Sequence, residues 1–180
     1  AQQAGKLPSG EIALVVASRS DAYALTRAAA GGIPSEVVRR KDFEDLAAYE
    51  DPLTSLMREN KIDLIVLAGF MSILSKAFTD RFPQRMINIH PSLIPSFCGK
   101  GFYGIHVHEA ALHYGVKVSG ATVHFVNEIP DGGQIIRQKA VPVLPGDTPE
   151  RLQKRVMEEA EWIILPEATE EIAARLLAEA

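Results

Sequence analysis

The densest chemistry in this 180-residue chain lies at Asn88-Ile89-His90-Pro91-Ser92-Leu93-Ile94-Pro95. In an extended segment the Asn88 and His90 side chains share one face while Ile89 packs the other way. A neutral amide beside a group that titrates near pH 6.5 suits acyl transfer: the amide holds a developing oxyanion and the imidazole moves the proton. The same pair would serve equally well to tie down a proline-rich loop. Asp131, within Pro130-Asp131-Gly132-Gly133, is the carboxylate that could orient His90 and favour its imidazolium. Asp-Gly is also an ordinary turn pair, so the catalytic reading draws its strength from the two sites together.

Other patterns resemble sites in letters only. Gly99-Lys100-Gly101-Phe102-Tyr103-Gly104 fits G-x-G-x-x-G, but it follows a proline-rich loop rather than a strand, and no helix opens inside it. His106, Glu109 and His113 look like metal ligands. His108-Glu109 to His113 is one residue too long for H-E-x-x-H, and at about 100° per residue the two histidines face different ways. Nothing supplies a base for Cys98, which reads as a bystander thiol. Glu158, Glu159 and Glu161 read as the solvated face of the last helix, with one that could turn inward. No metal is expected.

The elements that must position these groups alternate. Ile12 to Val16 reads as a strand buried on both faces, Ala22 to Ala30 as a helix closed by Gly31-Gly32, and Pro34 to Arg39 as a second strand. Asp42 to Asn60 reads as a helix interrupted near Pro52, Ile62 to Ala68 as the strongest strand, and Met71 to Phe82 as a helix. Met86 to Ile89 is a short strand. Residues 91–107, with two prolines and three glycines, form a long loop of the kind that often carries function. A short helix from Val107 to Gly115 precedes strands at Val116 to Val126 and Gln134 to Val143, and Thr148 caps a C-terminal helix that Pro166 should bend. The expected fold is α/β and Rossmann-like: a mainly parallel twisted sheet with an antiparallel C-terminal extension. Ala1 to Lys6 reads as the tail of a helix, so either an opening βα unit with a phosphate loop is missing or the fold does without one.

Composition narrows the partners. The chain is 47% hydrophobic and 23% charged with a net charge of −4, which fits one globular domain over residues 1–180 and offers no basic surface for nucleic acid. A single cysteine fits a reducing, cytoplasmic setting, and no apolar run is long enough to span a membrane.

The spaced landmarks Leu67-Ala68-Gly69-Phe70-Met71, Asn88-Ile89-His90-Pro91-Ser92-Leu93, Gly120-Ala121-Thr122-Val123-His124-Phe125-Val126, Asp131-Gly132-Gly133 and Val141-Pro142-Val143 resemble the phosphoribosylglycinamide formyltransferase family. The resemblance runs through nearly the whole chain. It implies a one-carbon transferase of purine biosynthesis that moves the formyl group of 10-formyltetrahydrofolate to the amine of glycinamide ribonucleotide, without a metal, as a monomer or homodimer. It also implies roles: His90 as acid/base, Asn88 on the formyl oxygen, and Asp131 raising the histidine's pKa. Met71, Ser72, Ile73, Leu74, Asn88, Asn127 and Asp131 would contact the folate. Glu161 and His90 would meet the nucleotide substrate, with His124 and Thr122 in support.

Several departures accompany the resemblance. It implies that the opening βα unit and its phosphate loop are missing. Leu46 stands where the family places a folate-contacting arginine, and Gln134 stands where proline usually follows Asp-Gly-Gly. The loop at 98–104 is longer than in the commonest members, and the spacing from Arg155 to Glu161 is one residue longer than usual. Methionyl-tRNA formyltransferase shares the Asn-x-His-Pro-Ser motif but needs a tRNA-binding domain. Formyltetrahydrofolate deformylase would have a second histidine at Pro91. A folate- or nucleotide-binding relative without catalysis is the remaining alternative.

Overall fold

Asn88 and His90 sit on a strand whose two faces serve different layers, and the fold is arranged around that strand. The computed structural model describes residues 1–179. Its elements are β1 (Val15–Ala17), α1 (Tyr23–Ala30), β2 (Ser35–Val37), α2 (Leu46–Glu59), β3 (Ile65–Leu67), α3 (Lys76–Thr79), β4 (Met86–His90), α4 (Ile105–Tyr114), β5 (Val118–Phe125), β6 (Ile135–Pro142), α5 (Pro149–Val156) and α6 (Trp162–Glu179). A π-helical turn, Met157–Glu161, joins the last two helices.

β1 pairs with β2 and β3 with β4, both in parallel, while β5 lies antiparallel to both β4 and β6. The strands form two sheets, β1-β2 and β3-β4-β5-β6. Among the described residues β1 and β3 therefore each keep one unpaired edge, and Val66 in β3 is exposed. The α/β class is as expected, with the parallel pairings in the N-terminal half and the antiparallel extension at the C-terminal end.

Alternation along β4 separates two cores. Ile87 and Ile89 join Val123, Val141, Leu152, Val156 and Ile164 in one cluster, on the side of the C-terminal helices. Met86 joins Tyr49, Leu53, Leu74 and Phe78 in the other. Asn88 and His90 share the face of Met86, opposite the side that Ile87 and Ile89 pack.

The first strand is confined to Val15–Ala17, with Ile12 exposed, and the strand expected over Ile62 to Ala68 is confined to Ile65–Leu67. Three helical expectations differ as well. The helix expected from Met71 is confined to Lys76–Thr79, because Ser75 caps it by accepting the Phe78 N–H at 3.1 Å, which leaves 71–74 irregular. Pro52 does not interrupt α2, which is continuous over Leu46–Glu59; Tyr49 and Leu53 pack it against the second core on either side of the lost hydrogen bond. The irregularity in the C-terminal helices lies at the π turn, a turn ahead of Pro166.

The C-terminal helices are fastened to the sheet by charge. The Arg155 guanidinium donates to both carboxylate oxygens of Asp147, at 2.5 and 2.8 Å, and to the Pro142 carbonyl, while Asp147 also accepts the Leu144 N–H. Both side chains are largely buried. The Arg155 contact holds the Asp147 carboxyl down to about 2. A carboxyl with a lowered folded-state pKa stabilises the fold at pH values above its unfolded value and loses that contribution as pH falls towards 2. Asp147→Asn should therefore cost about 2 kcal/mol at neutral pH. Urea unfolding should show the gap between wild type and variant closing as pH drops below 4.

Candidate active site

β4 and β5 bring four polar side chains into register, Asn88 opposite His124 and His90 opposite Thr122. The His124 Nδ1–H donates to the Phe125 carbonyl at 2.7 Å. Nε2 is then the acceptor, and the Asn88 amide donates to it at 3.2 Å. Asn88 is thereby oriented with one N–H engaged and, among the described residues, the other without a partner.

The turn after β5 carries Asp131 into the same space. Its oxygens lie 3.4 Å from His90 Nδ1 and 3.5 Å from His124 Nε2, and the Gly99 N–H donates to it at 2.8 Å. Asp131 adopts a φ of 56°, an uncommon conformation for a residue with a side chain. Gly133 follows because a Cβ there would run into the Phe125 carbonyl. The Asp-Gly-Gly sequence is thus a close-approach device that delivers a carboxylate, and it is more than a plain turn.

His90 is 4% exposed, and its Nε2–H donates to the Phe97 carbonyl at 2.9 Å. Burial pushes its pKa below the ordinary histidine value, against the opposing pulls of the Phe97 carbonyl and Asp131. Asp131 therefore acts on His90 in the expected direction, but the net shift is downward because desolvation of the imidazolium is the larger effect. For Asp131 itself burial acts upward, and it is outweighed by His124, the Gly99 N–H and His90, which hold the carboxyl below its usual value.

Thr122 fixes the proline-rich loop. Its hydroxyl donates to the Ser92 carbonyl and accepts the Ile94 N–H, and the Gln138 amide donates both to Thr122 and to the Ile94 carbonyl. The loop contributes more than its sequence suggests, since Phe97 and Gly99 supply backbone groups to His90 and Asp131. A backbone acceptor at Phe97 and a backbone donor at Gly99 leave no signature in residue types beyond the glycine itself.

The other expected contacts are placed less tightly. Met71 and Ile73 are exposed, Leu74 is buried, and the Ser72 side chain lies against the Tyr49 hydroxyl. This segment follows β3 beside Asn88, since Leu67 is its register partner. It is anchored by the buried Glu50, whose carboxylate accepts both the Ser75 N–H and its hydroxyl at 2.6 and 2.5 Å. Glu50 carries no motif and was not anticipated. Asn127 accepts the Ile129 N–H within its own turn. Leu46 packs into the second core.

Glu161 ends the π turn, half-buried, with its carboxyl raised by burial. Among the described residues it has no hydrogen-bond or ion-pair partner, and Glu158 and Glu159 are exposed. His106 pairs with Glu109 at the surface, whereas His108 is fully buried and, among the described residues, neither of its ring nitrogens has a partner.

A family described as formyl transferase matches residues 1–169. The chain is 41% identical over 154 residues to the chloroplastic phosphoribosylglycinamide formyltransferase of Arabidopsis thaliana, which covers 84% of this chain and 52% of that protein. It is 40% identical over 162 residues to the phosphoribosylglycinamide formyltransferase of Haemophilus influenzae, covering 90% and 73%. The crystal structure of glycinamide ribonucleotide transformylase 1 from Symbiobacterium toebii superposes with a TM-score of 0.88 at 38% identity, covering 97% of this chain and 79% of that one. The chain thus spans about half the length of the plant relative.

Burial holds His108 down to about 4. The unfolded chain takes up this proton near the ordinary histidine value, so the fold loses stability as pH falls from about 6.5 towards 4. His108→Leu should be neutral or stabilising at pH 7, because it removes unpaired buried nitrogens. Its advantage in urea unfolding should grow as pH is lowered through that window. Glu50→Ala should cost about 1–3 kcal/mol and speed hydrogen exchange at the Ser75 amide.

Proposed function

The chain belongs to the formyl transferase family, and from that premise we propose that it transfers the formyl group of 10-formyltetrahydrofolate to the amine of glycinamide ribonucleotide in purine synthesis. The observation that carries this reading is the pairing of the second Asn88 N–H with a buried His90 whose other side meets Asp131. The acceptor is supported by the names of the Arabidopsis and Haemophilus relatives.

The amine nitrogen attacks the formyl carbon and the carbonyl electrons move onto oxygen. Two donors meet that oxyanion: the second Asn88 N–H, and the His90 Nε2–H, which exchanges the Phe97 carbonyl for the substrate oxygen. The attacking nitrogen gives up a proton to the Asp131–His90 pair. Collapse of the intermediate breaks the bond to the folate nitrogen, which leaves protonated. Met71, Ser72, Ile73, Leu74 and Asn127 line the folate side, and Glu161 receives the glycinamide end. His124 and Thr122 hold Asn88 and the loop in place.

We further propose that the full protein places a strand between the unpaired edges of β1 and β3, with a turn at its carboxyl end for the nucleotide phosphate. Among the described residues no helix is long and apolar enough to cross a membrane. We place the reaction in the cytoplasm because the free thiol of Cys98 fits a reducing compartment.

In the full-length protein, His90→Ala should lower the formyl-transfer rate about 10²–10⁴-fold; unchanged turnover would remove His90 from this role. Asp131→Asn takes away an upward pull on His90. The limb of the pH–rate profile belonging to His90 should then move to lower pH, and an unmoved limb would break the proposed pairing.

A further inference from the structure

Residues 68–75, between β3 and α3, form neither helix nor strand, yet they include Met71, Ser72, Ile73 and Leu74, the segment assigned to the folate. An irregular segment that receives a ligand must be held in place beforehand, or the entropy of ordering it weakens binding. Met71 and Ile73 are exposed and offer no anchor. Two consecutive residues of α2 do. The buried Tyr49 meets the Ser72 side chain. Glu50, 5% exposed, accepts the Ser75 N–H on one oxygen and the Ser75 hydroxyl on the other, at 2.6 and 2.5 Å. That hydroxyl in turn accepts the Phe78 N–H at 3.1 Å, which leaves its own proton for Glu50.

Among the described residues no cation pairs with Glu50. A buried carboxylate without a counter-ion is a costly way to join two elements, and for stability alone an apolar residue serves as well. What the carboxylate adds is direction. Two oxygens on the N–H and the hydroxyl of one residue fix both its position and its orientation, whereas an apolar contact lets it slide. Leu74, the next residue back, is seated in the second core. A slip of one residue would bring Ile73 into its place and move every group that 71–74 presents. We propose that Glu50 is a positioning residue for the folate, which acts through Ser75 to hold 71–74 in the conformation that receives the co-substrate. The inference rests on the formyl-transfer reading. Glu161, assigned to the nucleotide, follows Ala160 of the other core cluster, so the influence of Glu50 is confined to one of the two substrates.

Two variants of the full-length protein separate reach from charge. Glu50→Gln keeps the reach: its amide oxygen accepts the Ser75 N–H and its amide N–H meets the hydroxyl oxygen. Glu50→Asp keeps the charge but is one methylene short. Calorimetric titration with tetrahydrofolate, the product of the proposed reaction, should give a Kd about five- to tenfold weaker for Glu50→Asp and within about twofold of wild type for Glu50→Gln. Steady-state KM for 10-formyltetrahydrofolate should follow the same order, while kcat and the nucleotide KM change by less than about twofold. If Glu50→Asp does not fold in urea-unfolding controls, Ser75→Ala removes the hydroxyl half of the grip and should weaken tetrahydrofolate about two- to fivefold with the same split. Equal tetrahydrofolate binding in wild type and variants would overturn the proposal, and so would a nucleotide KM that rises as much as the folate KM. The reverse order, with Gln weak and Asp normal, would make charge the cause and overturn it too. A wild-type protein that binds no tetrahydrofolate would instead sink the formyl-transfer reading, and this inference with it.

Discussion

A buried carboxylate must be answered by donors, and most of the site can be understood as the answer to Asp131. Taking an ionised carboxyl out of water costs several kcal/mol unless hydrogen bonds and opposite charge replace the solvent. Here one oxygen accepts the Gly99 N–H and lies 3.4 Å from His90, and the other lies 3.5 Å from His124. These partners come from different parts of the chain: the end of β4, the last residues of β5 and the loop beyond Pro95. The carboxylate therefore draws three segments to one point. Because His124 in turn fixes Asn88, the amide that faces substrate is also oriented through this charge.

The two core clusters make that arrangement rigid without taking part in it. Ile87 and Ile89 hold one face of β4 in the cluster with β5 and the C-terminal helices, which leaves Asn88 and His90 no alternative face. A slip of one residue would bury the amide and imidazole among isoleucines and expose the isoleucines. The Asp147–Arg155 pair performs a similar service for the last helices. The π turn lies between Arg155 and Glu161, where the resemblance implies one residue more than usual. A π turn accommodates one additional residue within a helix, so such a residue is absorbed locally while Ala160 and Ile164 reach the core.

What was legible in the sequence was what depends on side-chain type in a local pattern. Asn88, His90 and Asp131 announced themselves by chemistry and by position after a strand or in a glycine turn, and the structure brings all three together. The alternation of strands and helices was legible for the same reason. The limits of the helices were less so. Glu50 binds Ser75 from 25 residues away, and that contact favours a helix start at Ser75 rather than at Met71. Pro52 reads as a break because local rules count its missing N–H, whereas burial of Tyr49 and Leu53 on the same helix outweighs that loss. The backbone of Phe97 and Gly99 leaves no trace in residue types, and the letters of the glycine motif at 99–104 say nothing of it. Gly99 matters because its amide reaches Asp131, and no phosphate is involved in that contact.

The same distinction governs how His90 is tuned. From sequence, a neighbouring carboxylate suggests an imidazole with a raised pKa. In the folded protein the carboxylate and the Phe97 carbonyl do pull upward, but an imidazole that is 4% exposed loses more by desolvation of its charged form. Charge neighbours can be guessed from residue types; the degree of burial belongs to the packed structure. A histidine poised below its ordinary value by burial, yet facing a carboxylate, is easily moved by whatever replaces the Phe97 carbonyl. A substrate oxygen that becomes anionic would favour the protonated ring more strongly than a neutral carbonyl does. The proton affinity of His90 would then rise as negative charge develops, which is the behaviour the proposed formyl transfer asks of an acid/base group.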